Sequence, residues 1–289
     1  MTEPGTSWIA ERQHADGGWG YGGVPWTEST ALALLALNTE PDGHAAAVQA
    51  AVGWLRQTRR SDNGWPPNPQ VDRSVTWATS LALLALSGST GEPCTESVRW
   101  LLDTAGAENS FTMRFMRMFA AGQGEGEGFE GWPWFPGTTA WVAPTGLAIR
   151  ALERTRSLQT ADVGRRMGER LQSARDFLLV RRCLDGGWNH GAAHPLGYDA
   201  ESYPETTGVA LLGLTGTPAA ALERSLKLAA GEFTACRSAQ GRAWLRIGLA
   251  AHSQPVPTGG EEPVSRTVTD AALAVLAHAA EQGKGPFAR

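Results

Sequence analysis

Five stretches of the chain are apolar almost without a break: ESTALALLAL (28–37), WATSLALLAL (77–86), APTGLAIRAL (143–152), ETTGVALLGL (205–214) and TVTDAALAVL (267–276). A helix that is apolar on every side is a buried helix. Each stretch has threonine in its third column (Thr30, Thr79, Thr145, Thr207, Thr269), then Ala, Ser, Gly or Asp, then mostly apolar residues. Thr or Ser at the head of such a run, with turn residues before it, is a helix-start signal. The segments between these runs have a different rhythm. Over 160–182, Val163, Met167, Leu171, Ala174 and Leu178 recur at helical spacing with Arg and Glu between them, which predicts an amphipathic helix with one buried face.

A second anchor precedes each of the first four apolar runs. Gly-Trp closes a polar turn at Trp19, Trp65, Trp132 and Trp188, and an aromatic sits eleven positions before three of them, at Trp8, Trp54 and Phe177. Each unit therefore reads as an outer amphipathic helix, a turn ending in Gly-Trp, a Pro- or aromatic-rich loop, and an inner apolar helix. The Thr-to-Thr spacings are 49, 66, 62 and 62 residues, and the third unit carries an insertion that includes GQGEGEGFEG (122–131). The fifth unit is degenerate, with GRAW (241–244) as the candidate remnant of its Gly-Trp. Self-similarity at this spacing means stacked supersecondary units that share a core. The expected fold is all-α: an α/α toroid of about five helical-hairpin repeats, spanning approximately 1–37, 44–86, 95–152, 160–214 and 218–280 in one domain, 1–289. An open superhelical array is the competing architecture.

Composition narrows the function classes. The net charge is −4, Lys227 and Lys284 are the only lysines, and there is no basic run, so nucleic-acid binding has no support. Three separated cysteines, Cys94, Cys183 and Cys236, indicate neither a disulfide framework nor a cysteine zinc site. The first residues lack a signal-like segment. The longest clean apolar run, Ala31–Leu37, is far short of the ~18 residues of a membrane span. The expectation is a cytoplasmic protein without a transmembrane segment, with peripheral membrane contact left open. Twelve tryptophans against three tyrosines is the compositional anomaly.

QHADGGW (13–19) resembles the Gln…Gly-x-Trp repeat of squalene–hopene and oxidosqualene cyclases. QTRRSDNGW (57–65) is similar, with Asn63 where that pattern has Gly, and CLDGGWNHG (183–191) keeps Gly-Gly-Trp without the Gln. The chain thus resembles the terpenoid-cyclase and protein-prenyltransferase superfamily, and within it short bacterial proteins with such repeats. In that superfamily, the turn before each inner helix opens onto a central cavity. The resemblance therefore implies that Trp26, Trp77, Trp134, Trp141 and Tyr203, which precede or begin inner helices, line a cavity. Aromatic faces there can shelter an isoprenoid and stabilise a carbocation. Trp19, Trp65 and Trp188 read instead as packing staples.

The resemblance also implies an acid at the head of one inner helix, where class II cyclases carry Asp-x-Asp-Asp-Thr-Ala. In this register the central acid falls on the first column, occupied by Glu28 or Glu205, and the position two residues earlier is Trp26 or Tyr203. No Asp-x-Asp-Asp is present. Glu205 has more acidic company (Asp199, Glu201) and is the first candidate general acid, with Glu28 second. A lone Glu in a first helical turn is expected to have its carboxylate stabilised by the helix dipole. Arg73 and Arg266, just before two inner helices, are the candidate contacts for an anion. No cofactor is implied, and Mg²⁺ enters only with a diphosphate substrate. Zinc chemistry of the prenyltransferase type lacks its ligands, since Cys183 has no Asp-x-Cys context and no His begins an inner helix. The loop 190–205 gathers His190, His194, Asp199 and Glu201 as an alternative metal set. The implied function is a terpenoid-cyclase-like enzyme acting on a hydrophobic isoprenoid. The alternatives are a non-catalytic toroid binding a lipid or protein partner, and a metal-dependent enzyme. Full-length triterpene cyclases carry a second helical domain, so a partner subunit is a further expectation.

Overall fold

The computed structural model describes residues 5–40, 43–107, 129–191, 199–260 and 263–288. The helices in chain order are α1 (Thr6–Ala10), α2 (Thr27–Leu37), α3 (Ala45–Thr58), α4 (Thr76–Thr90), α5 (Thr95–Asp103), α6 (Val142–Thr155), α7 (Ala161–Val180), α8 (Pro204–Gly213), α9 (Ala219–Ala235), α10 (Ala239–Ala251) and α11 (Val268–Glu281). Among the described residues, two short antiparallel ribbons sit before inner helices: β1 (Gly20–Tyr21) with β2 (Val24–Pro25), and β3 (Trp132–Pro133) with β4 (Ala140–Trp141).

Helices α2, α4, α6, α8, α10 and α11 pack in that order, and α11 returns to α2. The ring is closed, which removes the open superhelix as an alternative. Outer helices cover its seams: α1 touches α11 and α2, α3 touches α2 and α4, and α9 touches α8 and α10. The ring contains a sixth inner helix, α10, outside the five-copy register. GRAW (241–244) is accordingly not a Gly-Trp turn but the first half of α10, with Trp244 buried in it. Two arginines interrupt the apolar pattern there. Arg242 is buried over the Phe233 ring of α9 and donates to the Phe233 and Gly259 carbonyls.

The two sequence anchors are joined to each other. The backbone N–H of the Gly-Trp tryptophan donates to the column-three threonine: Trp19 to Thr30 Oγ1 (2.9 Å), Trp65 to Thr79 (2.9 Å), Trp132 to Thr145 (2.8 Å) and Trp188 to Thr207 (3.0 Å). The indole of the same residue donates to a carbonyl near the end of the preceding outer helix: Ile9, Leu55, Leu101 and Leu178. All four tryptophans are fully buried, so each is the staple between an outer and an inner helix. In three units an aspartate two residues before the glycine closes the turn: Asp16, Asp62 and Asp185 accept from the N–H of Gly18, Gly64 and Gly187. The residue between is in the left-handed region, at φ 95° for Gly17, 71° for Asn63 and 105° for Gly186. Asn is the side chain that best replaces Gly there, which explains Asn63. Thr145→Val keeps the shape but leaves the buried Trp132 N–H without this acceptor. It is expected to cost about 1–3 kcal/mol, read from a urea unfolding midpoint.

Candidate active site at the mouth of the ring

A third regularity, not visible in the sequence, links neighbouring units. The carbonyl two residues after a Gly-Trp tryptophan accepts from the head of the preceding inner helix. Pro67 O receives Thr27 N–H (2.9 Å), Trp134 O receives Thr76 N–H (3.2 Å) and His190 O receives Val142 N–H (3.0 Å). Each post-Gly-Trp loop therefore leans over the helix head of the unit before it. This brings the rigid aromatics together at one end of the ring. Trp134 meets Trp77 with ring centroids 5.2 Å apart, and Phe135 meets Trp77 at 5.6 Å, both edge to face. His190 lies between Trp141 (6.4 Å) and Tyr203 (5.2 Å), and Tyr21 packs on Trp26 (6.3 Å). Trp26, Trp77, Trp134 and Trp141 are half-buried and Tyr203 is exposed. A core staple would be fully buried, as the four Gly-Trp residues are.

The first-column residues of α2, α4 and α8 converge here. Glu28 on α2 is bonded by the Trp77 side chain of α4 and feels the charge of Glu205 on α8. Its carboxyl is pushed above the ordinary 4.5, first by burial and further by Glu205, against the Trp77 hydrogen bond. Against the expectation of a stabilised carboxylate, the carboxyl of Glu28 is instead raised, with burial as the largest cause and the charge of Glu205 adding to it. Glu205 also accepts from Ser238 Oγ at 3.2 Å. Because Glu28 holds its proton more tightly in the folded chain, folding is favoured while it is protonated. That contribution is lost as pH rises from about 4.5 through the raised value, since the slope follows the protons bound by each state. Stability in this window should fall with rising pH more steeply in the native chain than in Glu28→Gln, as checked by thermal melts at stepped pH.

The other candidates lie around this centre. Arg73 is exposed, with its guanidinium 5.0 Å from the Phe135 ring centroid. Arg266 is exposed, and its backbone N–H donates to Asp270 Oδ2. His190, Asp199 and Glu201 are exposed, and His194 lies outside the described residues. Among the described residues, no group of three or more His, Cys, Asp and Glu side chains could hold a metal ion. No helix among them is long and apolar enough to cross a membrane.

A type II terpene cyclase from Scytonema, solved with geranylgeranyl dihydroxybenzoate, superposes with a TM-score of 0.54 at 17% identity, over 94% of this chain and 76% of that one. The chain shares the α/α-toroid fold of this cyclase. Two curated relatives agree at the sequence level. A squalene–hopene cyclase of Zymomonas mobilis is 31% identical over 111 residues, 32% of this chain and 17% of the cyclase. A drimenyl diphosphate synthase of Streptomyces showdoensis is 27% identical over 218 residues, 73% of this chain and 35% of the synthase. The toroid thus spans about a third or less of the length of these relatives. The same ring also superposes on a family 8 glycosyl hydrolase endoglucanase of Klebsiella pneumoniae, with a TM-score of 0.61 at 15% identity over 96% and 97% of the two chains, a likeness of fold alone. No family model matches the chain.

Proposed function

We propose that this terpenoid-cyclase-like toroid protonates an alkene of a hydrophobic isoprenoid at its mouth and guides the resulting cation to ring closure. Glu28 is the acid: its proton passes to an alkene carbon, the carbocation closes a ring on a neighbouring double bond, and a later proton loss or water capture ends the cascade. Glu205 favours the protonated form of Glu28 by like-charge repulsion. Trp77 orients the carboxyl, and Trp26, Trp134, Trp141 and Tyr203 present π-faces to the travelling positive charge. The observation that carries this reading is the raised pKa of Glu28 beside Glu205 and Trp77, in the repeat column where the resemblance puts the cyclase acid. A proton donor of this kind has to keep its proton until the substrate excludes water. Arg73 and Arg266 are left as contacts for a substrate anion, with Mg²⁺ only if that anion is a diphosphate.

One observation favours a second reading. A carboxyl that holds its proton near a second carboxyl, rimmed by half-buried aromatics, is also a means of glycoside hydrolysis. The test is incubation with squalene, farnesyl and geranylgeranyl diphosphate and cello-oligosaccharides, with and without Mg²⁺, read by mass spectrometry. A cyclised isoprenoid is the expected product. Cleaved oligosaccharide would establish the second reading, and isoprenoid retained without turnover would make the toroid a binding module.

A further inference from the structure

The opposite end of the ring is closed by the chain itself. After α11 the backbone turns through Gly283 (φ 72°) and Gly285 (φ 78°) and runs into the axis. Its position there follows from what it touches. Phe287 is fully buried and meets Trp244 of α10 at 5.5 Å between ring centroids. Pro286 and Gly285 line a cavity of about 270 Å³ with Leu35 of α2, Leu84 and Gly88 of α4, and Arg154 of α6. A segment in reach of α2, α4, α6 and α10 at once can only lie between them.

The fastening is made by two guanidiniums. Arg150 Nε donates to Pro286 O (2.8 Å) and its Nη2 to Ala288 O. Arg154 donates from Nε to Pro286 O (3.0 Å) and from Nη2 to Gly285 O (3.1 Å) and Ala288 O (2.8 Å). Arg150 is buried, and its pKa is lowered to about 10 by burial and by the neighbouring Arg154. The nearby acid, Glu153, lies 3.7 Å from Arg150 and is also bonded to Arg175. Among the described residues, Arg150 and Arg175 thus share the Glu153 carboxylate at the floor of the ring, while Arg154 and the remaining donors of Arg150 are given to neutral carbonyl oxygens, weaker partners than a carboxylate or phosphate.

We propose that residues 284–288 are a displaceable plug of the lower axis, and that Arg150 and Arg154 beneath it form the head-group site for an elongated apolar ligand with an anionic end. The two left-handed glycines give the plug its joint. The unfilled space beside Leu35, Leu84 and Pro286 gives an incoming chain its first foothold. Leu35 is seven residues along α2 from Glu28, about 10 Å of helix rise, so this foothold lies at the far end of the axis from the mouth. Release of the plug adds the volume of Phe287 to the space beside Leu35 and Leu84. The proposal stands apart from the acid assignment, because its readout is binding.

The probe is cis-parinaric acid, a fluorescent long-chain carboxylate, added to the full chain while amide hydrogen exchange is followed. One molecule is expected to bind, and the Phe287 and Ala288 amides to lose protection as it does. Phe287→Ala shifts the plug toward release and should tighten binding about tenfold or more, because apparent affinity scales with the open fraction. Arg154→Gln, made in the Phe287→Ala chain because Arg154 also fastens the plug, should weaken binding several-fold. Binding that leaves the exchange of Phe287 and Ala288 unchanged overturns the plug, as does a folded Phe287→Ala chain that binds no more tightly than the native one. Binding indifferent to Arg154→Gln in the Phe287→Ala chain overturns the head-group site. A chain that binds the probe in this way but cyclises nothing refutes the reading of the mouth and leaves the plug standing.

Discussion

Glu28→Gln is expected to lower cyclisation by about 10²–10⁴-fold, the range general-acid catalysis contributes, with little change in fold. Gln has nearly the shape of Glu, and its carbonyl oxygen can still accept the Trp77 hydrogen bond. What disappears is the transferable proton. Glu205→Gln removes a charge rather than the acid. The carboxyl of Glu28 is raised partly by Glu205, so this variant should move the alkaline limb of the pH–rate profile to lower pH while activity survives at acid pH. The pair of profiles separates the two roles, since an acid lost gives a flat, low profile and a neighbour lost gives a displaced one. Full activity in Glu28→Gln would end the assignment. Glu205→Gln with a flat, low profile would return the acid to Glu205, the residue that the company of Asp199 and Glu201 in the sequence favours.

The repeat was legible because it is made of obligatory contacts. Trp132 cannot be buried without acceptors for its indole and its backbone N–H, and Leu101 O and Thr145 Oγ1 supply them. Such a residue pair recurs at matching positions in every unit built that way. The closing helix α10 was not legible because Arg242 and Arg246 break its apolar run. Their guanidiniums lie over the Phe233 ring, at 4.1 and 5.3 Å from its centroid, a contact with a residue of another helix that periodicity cannot register. The aromatic mouth was half legible. Trp26, Trp77, Trp134, Trp141 and Tyr203 stand out by position, but the link that gathers them is backbone, from Thr76 N–H to Trp134 O and from Val142 N–H to His190 O, and any side chain can carry it. The coupling of Glu28 to Glu205 depends on ring closure, which brings α2 and α8 around one axis from 177 residues apart in sequence. The raised pKa of Glu28 is a property of that enclosure and not of the residue alone.

The largest expected effect on stability comes from the small residue in column four. Gly208→Ala should destabilise the toroid by about 1–3 kcal/mol or more, as overpacking a tight core does. A Cβ at Gly208 would lie 2.2 Å from the Trp244 carbonyl carbon and 2.6 Å from Leu245 N, atoms of the α10 backbone that no rotamer change can clear. Gly248 of α10 returns the contact, 2.8 Å from Gly208 O by the same construction, and Gly146 meets Val209 O at 2.5 Å. Helices α6, α8 and α10 thus touch backbone to backbone, and the ring can close at six helices because these sides are narrow. The intrinsic gain of Gly→Ala in a helix, about 0.8–1.0 kcal/mol, works in the opposite direction at Gly208 and is outweighed. The control is the same substitution where the space is open. A Cβ at Gly53 of α3 or Gly231 of α9 meets nothing within 4 Å, so Gly53→Ala and Gly231→Ala should each stabilise by about 0.4–1 kcal/mol. Urea unfolding of the three variants reads the contrast directly. If all three shift the midpoint the same way, helix propensity governs and the close approach of α8 to α10 does not. Opposite signs mean that the close backbone approach of α8 to α10 decides what column four can hold, so the glycine at position 208 is a requirement of ring packing and not of the helix itself.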